Sequence, residues 1–109
     1  MSWTRHNDER EYDELVNWDA RLSREGPFFE RLFAEYDVHS VADVGAGSAR
    51  HSIMYRSWGR EVWAIDPSDD MLELARENAA RLGSDVRIVQ GSFGDVARIV
   101  GGPVDAVTC

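Results

Sequence analysis

The chain of 109 residues is 43% hydrophobic and 29% charged, a composition typical of a single globular domain. Its formal net charge of −8 at pH 7 repels phosphate backbones and anionic lipid surfaces, so we expect no nucleic acid and no membrane as a partner, and a small-molecule substrate instead. The polar start and the lack of a long apolar run predict a cytoplasmic protein.

Cysteine and histidine usage gives no sign of a disulfide framework or a metal site. Cys109 is the only cysteine. His6, His39 and His51 do not have the four-residue spacing of a helical zinc pair. We therefore predict no metal.

The first elements predicted along the chain are two helices. Residues 8–24 carry a mostly apolar stripe at helical spacing, and a second helix from Pro27 carries an aromatic stripe typical of a protein core. The segment Glu25-Gly26-Pro27 separates them, because glycine ends helices and proline starts them. We expect residues 1–39 to pack on the same domain as the rest. The stripes are Tyr12, Leu15, Val16, Asp19 and Leu22, then Phe28, Phe29, Leu32, Phe33 and Tyr36.

From residue 40 the pattern changes to short β-branched runs separated by segments long enough for helices: SVADV, EVWAID, DVRIVQ and PVDAVTC. The clearest intervening helix is residues 68–82, with Ser68 as its N-cap and Gly83 at its end. Strands that alternate with helices predict an α/β fold with a parallel sheet. The last run reads as a strand buried on both faces, which leaves its outer edge unpaired. We therefore expect the N-terminal part of a longer domain.

The segment VADVGAGSARHS places a glycine-rich turn directly after the first strand. Gly45 and Gly47 allow the backbone to approach a ligand closely. At the end of the second strand, Asp66 is placed to accept hydrogen bonds from both hydroxyls of a ribose. These features together predict a nucleoside site.

Two residues indicate which nucleoside this site takes. Arg50 stands where the dinucleotide fingerprint G-x-G-x-x-G has its third glycine, so pyrophosphate binding is not supported. Asp43 puts an acid beside the turn, which favours a ligand with an ammonium or sulfonium group over one with phosphates. S-adenosylmethionine has these properties.

The combination resembles the class I S-adenosylmethionine-dependent methyltransferases. Their first motif, D-x-G-x-G-x-G, appears as Asp43-Val-Gly45-Ala-Gly47-Ser-Ala49, with alanine as the third glycine. VWAIDPSDDMLELARENA and VRIVQGSFGDV are similar to the family's second and third segments. The resemblance implies a Rossmann-like doubly wound parallel sheet of strand order 3-2-1-4, preceded by two helices. Residues 40–109 would then be an S-adenosylmethionine-binding half domain that ends after strand 4.

The resemblance also implies a role for each matching residue. Asp66 would bind the ribose, Asp43 the ammonium end of the cofactor, and Ser92 the amino group of the adenine. Pro67 and Met71 would lie beside the adenine. Phe93 would cover the ring, unless it is an ordinary core residue. The implied contacts in the turn are Gly45, Ala46 and Gly47.

Within the family, NWDARLSREGPF and VDAVTC are similar to the glycine and sarcosine N-methyltransferases. Arg21 matches an arginine, about twenty residues before the first strand, that binds the cofactor's carboxylate in that branch. The implied reaction is methyl transfer to a small-molecule acceptor, through an amine nitrogen. Such a displacement depends mainly on positioning and desolvation, so we assign no catalytic residue.

Two alternatives stay open. An NAD-dependent oxidoreductase half domain would use the same arrangement of strand, turn and acid. A non-catalytic nucleoside-binding module would form a homodimer through the open edge of strand 4.

Overall fold

The computed structural model describes Asp13 and residues 17–109. Its helices are α1 (Trp18–Glu35), α2 (Arg50–Ser57), α3 (Asp69–Leu82) and α4 (Val96–Val100). Its strands are β1 (Ser40–Val44), β2 (Glu61–Asp66), β3 (Arg87–Gln90) and β4 (Ala106–Thr108), and a short 3-10 turn spans Phe93–Asp95. The four strands fall inside the four β-branched runs, as the sequence pattern predicts.

Helix α1 corrects one prediction, because it runs without a break through Glu25, Gly26 and Pro27. Proline has no N–H to donate to the Ser23 carbonyl one turn earlier. Pro27 and Ser23 are both exposed, so water can donate a hydrogen bond to that carbonyl instead. Gly26 is buried, and a Cβ there would lie 3.4 Å from the Met54 sulfur. This glycine therefore allows α1 to approach α2 closely and does not end a helix.

Helix α1 begins at Trp18, inside the range predicted for the first helix. Asn17 is its N-cap and accepts a hydrogen bond from the Ala20 N–H at 3.1 Å. Of the helix predicted over residues 8–24, residues 8–12 and 14–16 lie outside the described residues. Of the aromatic stripe, Phe33 is buried, whereas Phe28 and Tyr36 are exposed.

All four strands are parallel and lie in the order β3-β2-β1-β4. This order confirms the predicted α/β fold and its 3-2-1-4 sheet. Strand β1 pairs with β2 on one side and with β4 on the other, so that Val41 lies beside both Val62 and Ala106. The carboxyl ends of β1 and β2 therefore meet at one edge, with the topological switch point of the sheet beside them.

The two faces of the sheet are covered unequally. Alternate residues of β1 and β2 face opposite sides of the sheet. Both sides are covered by helices, which is why the two strands are apolar almost throughout. Helices α1, α2 and α3 cover one face with a continuous core, and the short α4 covers the other. The first core includes Phe33, Val38, Val41, Ile53, Tyr55, Val62, Ala75 and Ala79. The second includes Ala42, Trp63 and Ile65, with Val96 and Ile99 against them.

Strand β4 differs from its prediction. The sequence suggests burial on both faces, but the three residues of β4 are half-buried or exposed, and Val107 is 43% exposed. Strand β4 lies at the edge of the sheet, where the described helices cover its faces less than those of β1 and β2. Among the residues that the structure describes, no helix has the length and apolar character needed to cross a bilayer.

Helix α3 follows its local signals closely. The Ser68 hydroxyl accepts the Met71 N–H at 3.3 Å, and Gly83 ends the helix in the left-handed region at φ +67°. Its first residue stands just after β2. The loop between them therefore borders the carboxyl edge of the sheet.

Candidate functional site

A cavity of about 790 Å³ opens at the carboxyl edge of the sheet, between the glycine turn and helix α1. This volume lies within the range of about 300–1,000 Å³ that small-molecule sites occupy. Its wall has carboxylates, guanidinium groups and aromatic rings. Of the residues predicted from the sequence, it contains Arg21, Asp43, Gly45, Ala46, Gly47 and Met71. Asp66, Pro67, Ser92 and Phe93 lie outside this wall.

The glycine turn owes its shape to left-handed backbone. Gly45 and Gly47 have φ of +69° and +60°, which glycine adopts without steric cost. Ala49, in the place of the third glycine, has φ +67° and is fully buried. A Cβ on Gly47 would lie 3.9 Å from the Met71 sulfur, so the turn and α3 face each other closely.

Asp66 joins the end of β2 to the glycine turn. One of its carboxylate oxygens accepts the Gly47 N–H and the other accepts the Ser68 N–H, both at 2.9 Å. The residue is buried, yet each oxygen can accept a second hydrogen bond from a ligand. Pro67 beside it is exposed, and its carbonyl accepts a bond from the Gln90 amide at 3.1 Å.

Asp43, at the end of β1, is a buried carboxylate in the cavity wall. The hydroxyls of Ser52 and Thr108 donate to its two oxygens at 2.6 Å and 2.9 Å. Burial raises the pKa of this carboxyl, and the two hydroxyl donors oppose the rise. Asp43 therefore gains from any cation that enters the cavity.

Ser92 and Phe93 lie beyond β3, away from the cavity. Ser92 and Asp95 form a capping box, in which Asp95 accepts the Ser92 N–H at 2.9 Å and the Ser92 side chain accepts the Asp95 N–H; the Ser92 hydroxyl also lies 3.3 Å from the same Asp95 oxygen. The spacing Ser92-x-x-Asp95 is a sequence signal for this box. Phe93 is 66% exposed, so the alternative that it is a core residue is wrong.

Glu25 of helix α1 is a charged residue in the cavity wall that is not among those predicted from the sequence. Arg21 Nε donates to Glu25 Oε1 at 3.1 Å, and His51 Nε2 lies 2.5 Å from Glu25 Oε2. Both the His51 hydrogen bond and Arg21 lower the pKa of Glu25, with burial opposing them. Residues 18, 21, 25 and 29 are spaced to share one face of a continuous helix. The break predicted at Glu25 assigns them to separate elements, so this shared face is not predicted.

A second cluster links Asp13 to the glycine turn. The buried Asp13 carboxylate accepts hydrogen bonds from Trp18 Nε1 at 3.0 Å and from the Ser48 hydroxyl. Asn78 of α3 donates to the Ser48 carbonyl at 3.0 Å, and Arg50 lies 3.6 Å from Asp13. The turn is thus held from both sides by buried polar contacts. No cluster of potential metal ligands occurs within the described part of the chain.

Comparison with known proteins gives matches along most of the chain. A family model described as a methyltransferase domain matches residues 41–109. The chain is 39% identical over 98 residues to a glycine/sarcosine N-methyltransferase of Aphanothece halophytica, covering 90% of this chain and 37% of that protein. It is 33% identical over 99 residues to a glycine/sarcosine/dimethylglycine N-methyltransferase of Actinopolyspora halophila, covering 90% and 18%. The chain therefore spans about a third or less of the length of these relatives.

Solved structures share the fold. A putative caffeoyl-CoA O-methyltransferase from Staphylococcus aureus superposes with a TM-score of 0.68 at 19% identity, covering 96% of this chain and 53% of that one. The PH0226 protein from Pyrococcus horikoshii superposes with a TM-score of 0.62 at 25% identity, covering 75% and 42%. Both support the sheet order described above.

Proposed function

Because the chain belongs to the methyltransferase-domain family, we propose that it binds S-adenosylmethionine and forms the cofactor-binding part of an enzyme that methylates a small molecule. The observation that carries this proposal is the left-handed glycine turn with two buried acids beside it, Asp43 near the end of β1 and Asp66 at the end of β2. A bare turn between two acids suits a nucleoside cation and repels a pyrophosphate.

The residues in the cavity fit the amino-acid end of this cofactor. Arg21 offers a guanidinium to a carboxylate, and Asp43 offers a carboxylate to an ammonium group. The rings of Trp18, Phe29 and Tyr55 in the same wall suit a positively charged sulfur. Asp66 lies outside the cavity wall, beside the glycine turn. There its carboxylate would accept hydrogen bonds from a ribose in addition to those from Gly47 and Ser68.

When bound, S-adenosylmethionine supplies a methyl group on a sulfonium sulfur, which is electrophilic without further activation. The work of this chain is then to orient and to exclude water. Asp66 and the glycine turn would fix the nucleoside, Arg21 and Asp43 would fix the amino-acid end, and Met71 would lie beside the adenine. Positioning of this kind can contribute several kcal/mol to a displacement reaction, so no acid or base of the chain is assigned to the transfer.

We propose an amine nitrogen as the methyl acceptor. The support is the similarity to N-methyltransferases of glycine and sarcosine over 90% of this chain.

We further propose that residues 1–39 and 40–109 act as one cofactor-binding unit, since Phe33 of α1 packs in the same core as Val41. Pairing of two copies through the β4 edge also remains a proposal, supported by the exposure of Val107. Light scattering during gel filtration tests it, because a mass near one chain would exclude the pair.

Titration calorimetry with S-adenosylmethionine and with NAD tests the proposed cofactor. We expect saturable binding of the first and none of the second, because the Asp43 carboxylate opposes phosphates. Asp66→Asn should weaken the first at least tenfold, since the amide keeps only one acceptor oxygen. Asp69→Asn, an exposed acid close by on α3, is the matched control and should bind normally. Binding of NAD alone would instead support an oxidoreductase.

A further inference from the structure

We propose that Glu25 is the positioning residue of a carboxylate subsite, in which it holds Arg21 with one oxygen and His51 with the other so that both face the amino-acid end of the cofactor. This inference rests on the proposed function. It assigns roles to Glu25 and His51, which neither the motifs nor the comparisons provide.

The first argument is the bridging geometry. Glu25 receives Arg21 from one turn earlier on α1 and His51 from the start of α2, at 3.1 Å and 2.5 Å. The side chains of all three are partly exposed to the cavity, at 36%, 34% and 21% for Arg21, Glu25 and His51. A carboxylate that contacts two basic groups from two helices fixes their spacing as well as their direction.

The second argument is that aromatic rings hold both basic groups in place. The Arg21 guanidinium lies over the Trp18 ring, 5.0 Å from its centroid. The His51 ring meets Trp18 and Phe29 edge-on, with centroids 5.8 Å and 6.2 Å apart. Groups that are packed in this way lose little freedom when a ligand binds, which is the source of a preorganised site.

The third argument is the distribution of charge around the cavity. Arg21 and Arg24 of α1, His51 of α2 and Asp43 of β1 all lie in the cavity wall. An amino-acid group carries a carboxylate and an ammonium on neighbouring atoms. The cavity offers basic side chains for the first and Asp43 for the second, so its wall has a partner for each charge of that group.

A pair of ligands separates this role from a general effect on folding. S-adenosylhomocysteine carries the amino-acid end, whereas 5′-methylthioadenosine has the same nucleoside without it. The dissociation constant of 5′-methylthioadenosine divided by that of S-adenosylhomocysteine, both measured by calorimetry at pH 7, reports the subsite alone. In the unaltered chain we expect S-adenosylhomocysteine to bind about 10 to 100 times more tightly.

Glu25→Gln removes the charge that aligns the two basic groups, and we expect it to lower this ratio at least fivefold by weakening S-adenosylhomocysteine alone. Glu30→Gln, the same change at an exposed position of α1, should leave the ratio unchanged. His51→Asn provides an independent variant if Glu25→Gln folds poorly, and should lower the ratio as well. An unchanged ratio in a folded Glu25 or His51 variant would overturn the inference and leave the proposed function intact. Failure of the unaltered chain to bind either ligand would overturn both.

Discussion

The buried Asp43 carboxylate is expected to cost the folded chain stability while no cation is bound to it. This carboxylate is buried between α2 and β4, where the hydroxyls of Ser52 and Thr108 are its hydrogen-bond donors among the described residues. Neutral hydroxyl donors compensate a buried charge less well than an ion pair does. A bound ammonium group would supply the missing opposite charge.

Asp43→Asn should therefore stabilise the chain without ligand at pH 7, by on the order of 1 kcal/mol. Burial raises the pKa of Asp43 above its unfolded value, so the ionised form costs stability above the folded pKa. The cost is absent once the pH falls below the unfolded carboxyl pKa of about 3.9. Urea unfolding at pH 7 and near pH 3.5 measures the difference, which should vanish at the lower pH. A variant less stable than the unaltered chain at pH 7 would contradict this account.

The sequence reveals some site residues and hides others for a physical reason. Asp43, Gly45 and Gly47 are readable because a strand, an acid and positive-φ glycines follow each other directly along the chain. Glu25 and His51 meet only through the packing of α1 on α2, which no local pattern encodes. Asp13 reaches Ser48 across a similar gap in sequence.

At the scale of elements, the clearest departure from prediction is the continuity of α1. Gly26 and Pro27 are strong local signals for a helix boundary, yet the helix continues because burial of Phe29 and Phe33 against Tyr55 outweighs the lost bond. Continuity is what carries Arg21, Glu25 and Phe29 to one side of the cavity. The β-branched runs gave the strands correctly, since their period does not depend on distant contacts.

Pro27→Ala should stabilise the chain by about 1–3 kcal/mol, because alanine restores the N–H that the exposed Ser23 carbonyl lacks. The change lies away from the cavity and should not alter affinity for the cofactor. Urea unfolding with a parallel calorimetric titration measures both quantities. A loss of stability would mean that the helix needs its proline for curvature or packing.

At the scale of the whole molecule, the sheet order brings the ends of β1 and β2 together and places the cavity beside them. This arrangement was predictable, because alternating strands and helices allow few topologies and the glycine turn marks the first crossover. The exposure of β4 was not, since edge and centre strands of similar composition differ only in their neighbours.

A crystal structure of the chain with S-adenosylhomocysteine tests the central claim most directly. We predict that the ribose hydroxyls donate to Asp66 and that the amino-acid end lies in the cavity between Asp43 and Arg21. A ligand bound away from the carboxyl ends of β1 and β2, or crystals grown with saturating ligand that show none there, would contradict the account.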